Sequence, residues 1–251
     1  MYRIRFLLLL AIFSLSSINV VAEDSLTAIQ NAAGENKYLY IFFYKDQNDK
    51  TKRAQAVFNQ ATEKLGGSVR TLQVKANDPS EKAIIDRFNL KRSPMPFVVV
   101  LAPNGAITGG YPLFTEEQLT DALVSPGGAN CLKALQDRKL VLLCLQSRNT
   151  ANNDAALKGV NEFKADPRFN SATEIVMIDP SNQQEQKFLN QLGLDTRSPQ
   201  AITVLISPPA EIVAKYQGPT TKTQLASDLQ TATSGCCCPG GCCPGGKCCP
   251  R

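Results

Sequence analysis

The chain has 251 residues, of which 27 are Lys or Arg and 22 are Asp or Glu, and it contains no histidine and no tryptophan. Lack of an imidazole excludes a Ser-His-Asp or Cys-His nucleophile system, a His-ligated metal and an imidazole general base. The net charge of +5 is too mild to imply nucleic-acid binding.

The N-terminus reads as a targeting segment. Met1 to Arg5 is a short basic start, Phe6 to Phe13 is an unbroken apolar run, and Val20 and Ala22 are small residues set just ahead of Glu23. The expectation is a signal peptide over residues 1–22, cleaved on export to a periplasm or to the extracellular space; an uncleaved N-terminal anchor is the alternative. The apolar run is short for a transmembrane helix, and no later segment is long and apolar enough to span a bilayer. Loss of residues 1–22 removes Arg3 and Arg5 and lowers the net charge to about +3. What remains is enough for two ordinary domains.

The body is one unit written twice. Arg92-Ser-Pro-Met-Pro96 and the Val/Leu run to Pro103 align with Arg197-Ser-Pro-Gln-Ala201 and the run to Pro208. Glu81 to Leu90 aligns with Glu185 to Leu194, and Asp78-Pro79-Ser80 with Asp179-Pro180-Ser181. Lys37 to Tyr44 corresponds to Arg138 to Leu145, and Thr115-Glu-Glu-Gln-Leu119 to Thr221-Lys-Thr-Gln-Leu225. Five blocks in one order indicate a tandem duplication.

In chain order, each copy predicts a helix (25–33; 130–137) and an apolar strand (37–44; 139–145). A polar loop and a long helix follow, with Ala54, Val57, Phe58, Ala61 and Leu65 at helical spacing in the first copy. Next come a strand (69–75; 173–178) and a turn at Asp-Pro-Ser that opens a helix with Pro at N1 and Asp as cap. A continuous apolar run (97–101; 202–206), a turn, a short strand (106–110; 211–216) and a last helix (115–124; 221–231) close the unit. Alternating strands and helices imply an α/β fold, and the unbroken apolar runs imply central strands buried on both faces.

That order resembles the thioredoxin fold. Met95-Pro96 followed by Phe97 to Leu101 and Asn104-Gly105 looks like the family's cis-proline loop, buried strand and hairpin turn. Lys37 to Tyr44, with the loop and helix after it, looks like the family's first central strand and active-site helix. The resemblance implies two tandem thioredoxin-like α/β sandwich domains, each a central mixed sheet flanked by helices. They are expected over 23–127 and 128–233, with a disordered Cys-rich tail over 234–251.

In that family a Cys-x-x-Cys opens the helix after the first central strand, where the helix dipole and free N–H groups favour a thiolate. The corresponding positions here fall near Asn48 and Thr51, and the second copy has Gln146 to Asn153. None of these residues can form a thiolate, so dithiol exchange at the standard position is excluded by composition. Pro96 is the candidate peptide-docking proline; the plainer reading is that it keeps a fold-defining turn. Ala201 stands at its place in the second copy, which marks that copy as the more structural one, because a non-proline cis bond costs ~3 kcal/mol. Lys45, Lys50, Lys52 and Arg53 at the start of the long helix read as a solvated surface interleaved with Asp46 and Asp49, or alternatively as an anion site.

Cys144, inside an apolar strand, reads as a buried and inert thiol; the alternatives are a structural disulfide to Cys131 and a catalytic role. The other seven cysteines are Cys236, Cys237, Cys238, Cys242, Cys243, Cys248 and Cys249, in repeats of Cys-Cys-Pro-Gly-Gly after a Thr/Ser/Gly tether. Each Pro-Gly-Gly is a turn that brings successive cysteines together. Three readings stay open: disulfides with at least one odd thiol, a soft metal ion such as Cu(I) or Zn held by thiolates, or covalent attachment to a partner. The expectation is an exported, non-enzymatic binding or scaffold protein with a protein or peptide partner. The rivals are a thiol–disulfide oxidoreductase that uses tail cysteines and a soft-metal-binding protein.

Overall fold

The computed structural model describes residues 24–234; the expected signal peptide over 1–22 and the Cys-rich residues from Cys236 onward lie outside the described residues. The first lobe comprises α1 (Ser25–Gly34), β1 (Tyr38–Tyr44), α2 (Asp49–Leu65), β2 (Val69–Lys75), α3 (Lys82–Arg87), β3 (Phe97–Leu101), β4 (Ile107–Tyr111) and α4 (Glu116–Asp121). The second comprises α5 (Pro126–Gln136), β5 (Leu140–Leu145), α6 (Asn153–Ala165), β6 (Thr173–Ile178), α7 (Gln186–Gln191), β7 (Ile202–Ser207), β8 (Glu211–Gln217) and α8 (Lys222–Ser234). Among the described residues no helix is long and apolar enough to cross a membrane.

Each lobe is built on a four-stranded mixed sheet, ordered β2-β1-β3-β4 in the first and β6-β5-β7-β8 in the second. β1 runs parallel to β2 and antiparallel to β3, and β4 is antiparallel to β3; the second sheet repeats this pattern. Strand period explains the apolar runs. Tyr38, Tyr40 and Phe42 face Phe58 of α2 and Leu119 of α4. Leu39, Ile41 and Phe43 face the other way, onto Ile29 of α1 and Ile84 of α3. In the second lobe Val141, Leu143 and Leu145 face α5 and α7, while Leu142 and Cys144 face Phe163 of α6 and Leu225 of α8.

The duplication extends to fine detail. A register shift falls at Val100/Leu101 in one sheet and at the aligned Leu205/Ile206 in the other. The matched Thr-x-x-Gln blocks are reciprocal caps: Thr115 Oγ1 accepts from Gln118 N–H while Gln118 Oε1 accepts from Thr115 N–H, and Thr221 with Gln224 does the same. The Asp-Pro-Ser turn is where the copies diverge. Asp78 caps a short 3-10 turn with Pro79 at its start, and α3 follows. In the second copy the inserted Asn182-Gln183-Gln184 moves the start downstream. Asn182 becomes the cap there and Pro180 is left in the turn before it, so the expected N1 proline is corrected for that copy.

Helix α5 belongs to both lobes. Its Ala129 and Leu132 complete the first lobe's core, while Cys131, Ala134 and Leu135 enter the second's. Gln136 brackets strand β4, its Oε1 accepting from Ile107 N–H at 2.9 Å and its Nε2 donating to Ile107 O at 2.7 Å. At the helix start the buried Glu185 accepts from Gly127 N–H at 2.9 Å. A Cβ at residue 127 would lie 2.3 Å from Ile178 Cδ1 and 2.7 Å from Glu185 Oε2, so a side chain there would have to displace both.

Candidate functional site

Strand β1 delivers the chain to the corner where α2 begins. Asn48 is the N-cap, its side chain accepting from Thr51 N–H at 2.9 Å, and Thr51 is buried. The two positions at which the resemblance places cysteines are thus occupied by a cap and a packed hydroxyl. The Met95–Pro96 peptide is cis and Pro96 is buried beside this corner. Lys50 Nζ donates to Met95 O at 3.1 Å, which ties the first turn of α2 to the proline segment.

Between them lies a groove of about 230 Å³ lined by Lys50, Arg53, Ala54, Val57, Pro96 and the Pro112–Phe114 segment. Phe114 anchors that segment edge-on against Phe42, at 6.3 Å between ring centres. Leu113 is left 73% exposed on the lip, the most exposed of the large apolar side chains described. Lys50 and Arg53 are exposed, and neither has a carboxylate partner among the described residues. Lys45 and Lys52 are exposed too, beside exposed Asp46 and Asp49. The sequence reading singled out Pro96 and the basic cluster, but not Leu113. Its only signal is an apolar residue next to a proline just ahead of a helix cap.

The matching corner of the second lobe is closed by its own loop. Ala151 N–H donates to Pro199 O at 2.8 Å, Ala201 N–H donates to Ala151 O at 2.9 Å, and Gly218 N–H donates to Ala201 O at 2.8 Å. Ser147, Thr150 and Asn153 lock the loop: Ser147 N–H donates to Thr150 Oγ1 at 2.9 Å, Thr150 Oγ1 to Asn153 Oδ1 at 2.7 Å, and Asn153 Nδ2 to Ser147 O at 2.7 Å. The main chain beside Ala201 is therefore committed internally.

Cys131 and Cys144 are free, buried thiols, and the disulfide weighed for them does not form. Strand alternation is the reason: Cys131 packs on the Val141/Leu143 face of β5, and Cys144 points to the opposite face. Burial pushes both thiols up to about 12, with the Glu185 carboxylate adding to the effect at Cys131. They are neutral at physiological pH and chemically quiet. Among the described residues no group of His, Cys, Asp and Glu could hold a metal ion. The candidate metal or disulfide residues Cys236, Cys237, Cys238, Cys242, Cys243, Cys248 and Cys249 lie outside the described residues.

Two features now stand together in the first lobe: a central β1–α2–β2 unit extended by the antiparallel pair β3–β4, and a cis-proline at the entry to β3. The second lobe repeats the topology with Ala201 at that entry. Both lobes have a thioredoxin-like α/β fold. No family model and no curated protein matches the chain. Solved structures do. Zinc-bound human ERp44 is 11% identical over 84% of this chain and 58% of its own, with a TM-score of 0.34; the chain thus spans little more than half of that one. The first two thioredoxin domains of Saccharomyces cerevisiae Eps1p are 10% identical over 82% of this chain and 96% of theirs, with a TM-score of 0.29. The N-terminal domain of alkylhydroperoxide reductase AhpF from Enterococcus faecalis is 16% identical over 81% of this chain and 98% of its own, again with a TM-score of 0.29.

Proposed function

We propose that this tandem thioredoxin-like protein is an exported binding or scaffold module that performs no dithiol exchange at the family corner. Its first lobe docks an extended segment of a partner protein in the groove beside Pro96. The tail cysteines Cys236 to Cys249 serve soft-metal binding or disulfide attachment. The observation that carries the reading is the contrast between the corners. In the second lobe Ala151 occupies the main chain next to Ala201; in the first, a lysine reaches Met95 O and the apolar lip at Leu113 stays exposed. An exposed apolar side chain on the rim of an apolar groove is the kind of surface that partners cover.

Two measurements test the proposal. In dithiothreitol-driven insulin reduction, the full chain is expected to run no faster than dithiothreitol alone, and truncation after Thr233 to change nothing. A tail-dependent acceleration would replace this reading with a thiol–disulfide oxidoreductase. Among random linear peptides selected for binding to the full chain, Leu113→Asp is expected to weaken affinity at least about tenfold, as befits loss of a leucine contact. Thr150→Ala in the closed corner is expected to leave affinity unchanged.

A further inference from the structure

The groove in the first lobe carries a chemical preference, on the reading that this lobe is the one that docks. We infer that it selects segments in which a large apolar side chain is flanked by carboxylates. At about 230 Å³ the groove falls below the roughly 300–1,000 Å³ of typical small-molecule sites, so it suits one or two side chains rather than a cofactor. Apart from two cations it is lined by Ala54, Val57, Pro96, Pro112, Leu113 and Phe114, which calls for an apolar side chain.

Polarity at the rim is one-sided. Lys50 and Arg53 both line the groove and no lining residue is acidic. Acids do stand nearby in sequence, Asp46 and Asp49 on the loop and first turn of α2, yet neither pairs with Lys50 or Arg53. Elsewhere on this lobe some basic side chains are paired: Lys64 binds Glu116, Lys82 and Lys91 bind Asp86, and Lys37 binds Glu35. Lys50 is already aimed inward, at Met95 O, so an arriving carboxylate meets an oriented ammonium beside a guanidinium. Exposed charge pairs contribute little affinity each but discriminate strongly by sign. Apolar burial therefore holds the segment, and the cations decide which segment is held.

The test is selection of random linear peptides on the full chain with accessible thiols alkylated, scored against Leu113→Asp. Expected binders carry Leu, Ile, Met or Phe with Asp or Glu within two residues. Their affinity is expected to fall about tenfold in the double variant Lys50→Glu/Arg53→Glu, the combined effect of two exposed charge pairs, and to fall as salt is raised from about 0.05 to 0.5 M. Selection on the double variant is expected to return peptides flanked by Lys or Arg. Leu113-dependent peptides with no acidic bias, or an acidic bias that survives the charge reversal, would overturn the preference while leaving docking at the first lobe intact. If no peptide distinguishes the wild-type chain from Leu113→Asp, docking itself is overturned and the preference goes with it.

Discussion

At Gly159 the second lobe tolerates no side chain. A Cβ at this position in α6 would sit 1.9 Å from the carbonyl oxygen of Thr220, which is backbone and cannot swing aside. Gly159→Ala is expected to destabilise the protein by about 1–3 kcal/mol, the usual range for overpacking, read as a lower urea midpoint with an unchanged slope. Nearby, Asp166 is 7% exposed and joins two elements: Arg168 binds it in a fork at 3.1 and 2.9 Å, and Lys222 of α8 reaches it at 2.7 Å. Arg168 first, then Lys222, hold its carboxyl well below the usual carboxylate range. A carboxylate depressed in the native state contributes its full stability above the unfolded value of about 4 and loses it as pH falls through the native value. Urea midpoints are therefore expected to fall from pH 5 downward, and Asp166→Asn to be less stable at pH 7 but to change less on acidification. Asp78, Asp86 and Asp179 are lowered in the same direction and keep some acid dependence in the variant.

Elements show how a duplicated sequence keeps its local grammar. Thr115 and Thr221 open the closing helix of each copy with the same reciprocal cap. Thr115→Ala and Thr221→Ala are each expected to cost about 1 kcal/mol, measured as shifts in the urea midpoint. Restoration by Ser would tie the loss to the hydroxyl. The third helix shows the opposite outcome. Three inserted residues transfer the cap from aspartate to Asn182 and bring Glu185 to the start of α7, where it is buried against Gly127. A one-lobe pattern has thereby been adapted into a contact with the helix that joins the lobes.

For the whole molecule, α5 decides whether there are two folding units or one. Its first-copy counterpart α1 packs within its own lobe, whereas α5 supplies apolar side chains to both cores and brackets β4 through Gln136. Burial of this kind couples the lobes far more strongly than the exposed Lys187–Asp121 pair that also bridges them. Urea unfolding is expected to be a single transition. Tyr38, Tyr40, Tyr44 and Tyr111 lie in the first lobe and Tyr216 alone of the described tyrosines in the second, so tyrosine fluorescence reports mainly on one lobe and far-UV circular dichroism on both. Coincident curves are expected. Separated midpoints would show that α5 leaves the lobes independent.

Period, punctuation and repetition were legible from residues alone. Unbroken apolar runs at 97–101 and 202–206 named strands buried on both faces, the blocks from Lys37 to Leu225 named two copies, and Asn48 and Thr51 left no thiol at the family's dithiol positions. These are local properties, set by spacing along the chain and by side-chain chemistry. Tertiary structure decided the rest, because it depends on which distant segments meet. Strand alternation turned Cys144 away from the sheet face on which α5 packs Cys131, although thirteen positions apart in sequence left a bridge between them open. Ala151 closed one corner by reaching a loop some fifty residues away, and α5 divided its faces between two cores. A partner residue brought close by folding leaves no mark on the spacing of either segment, so only the folded chain records it.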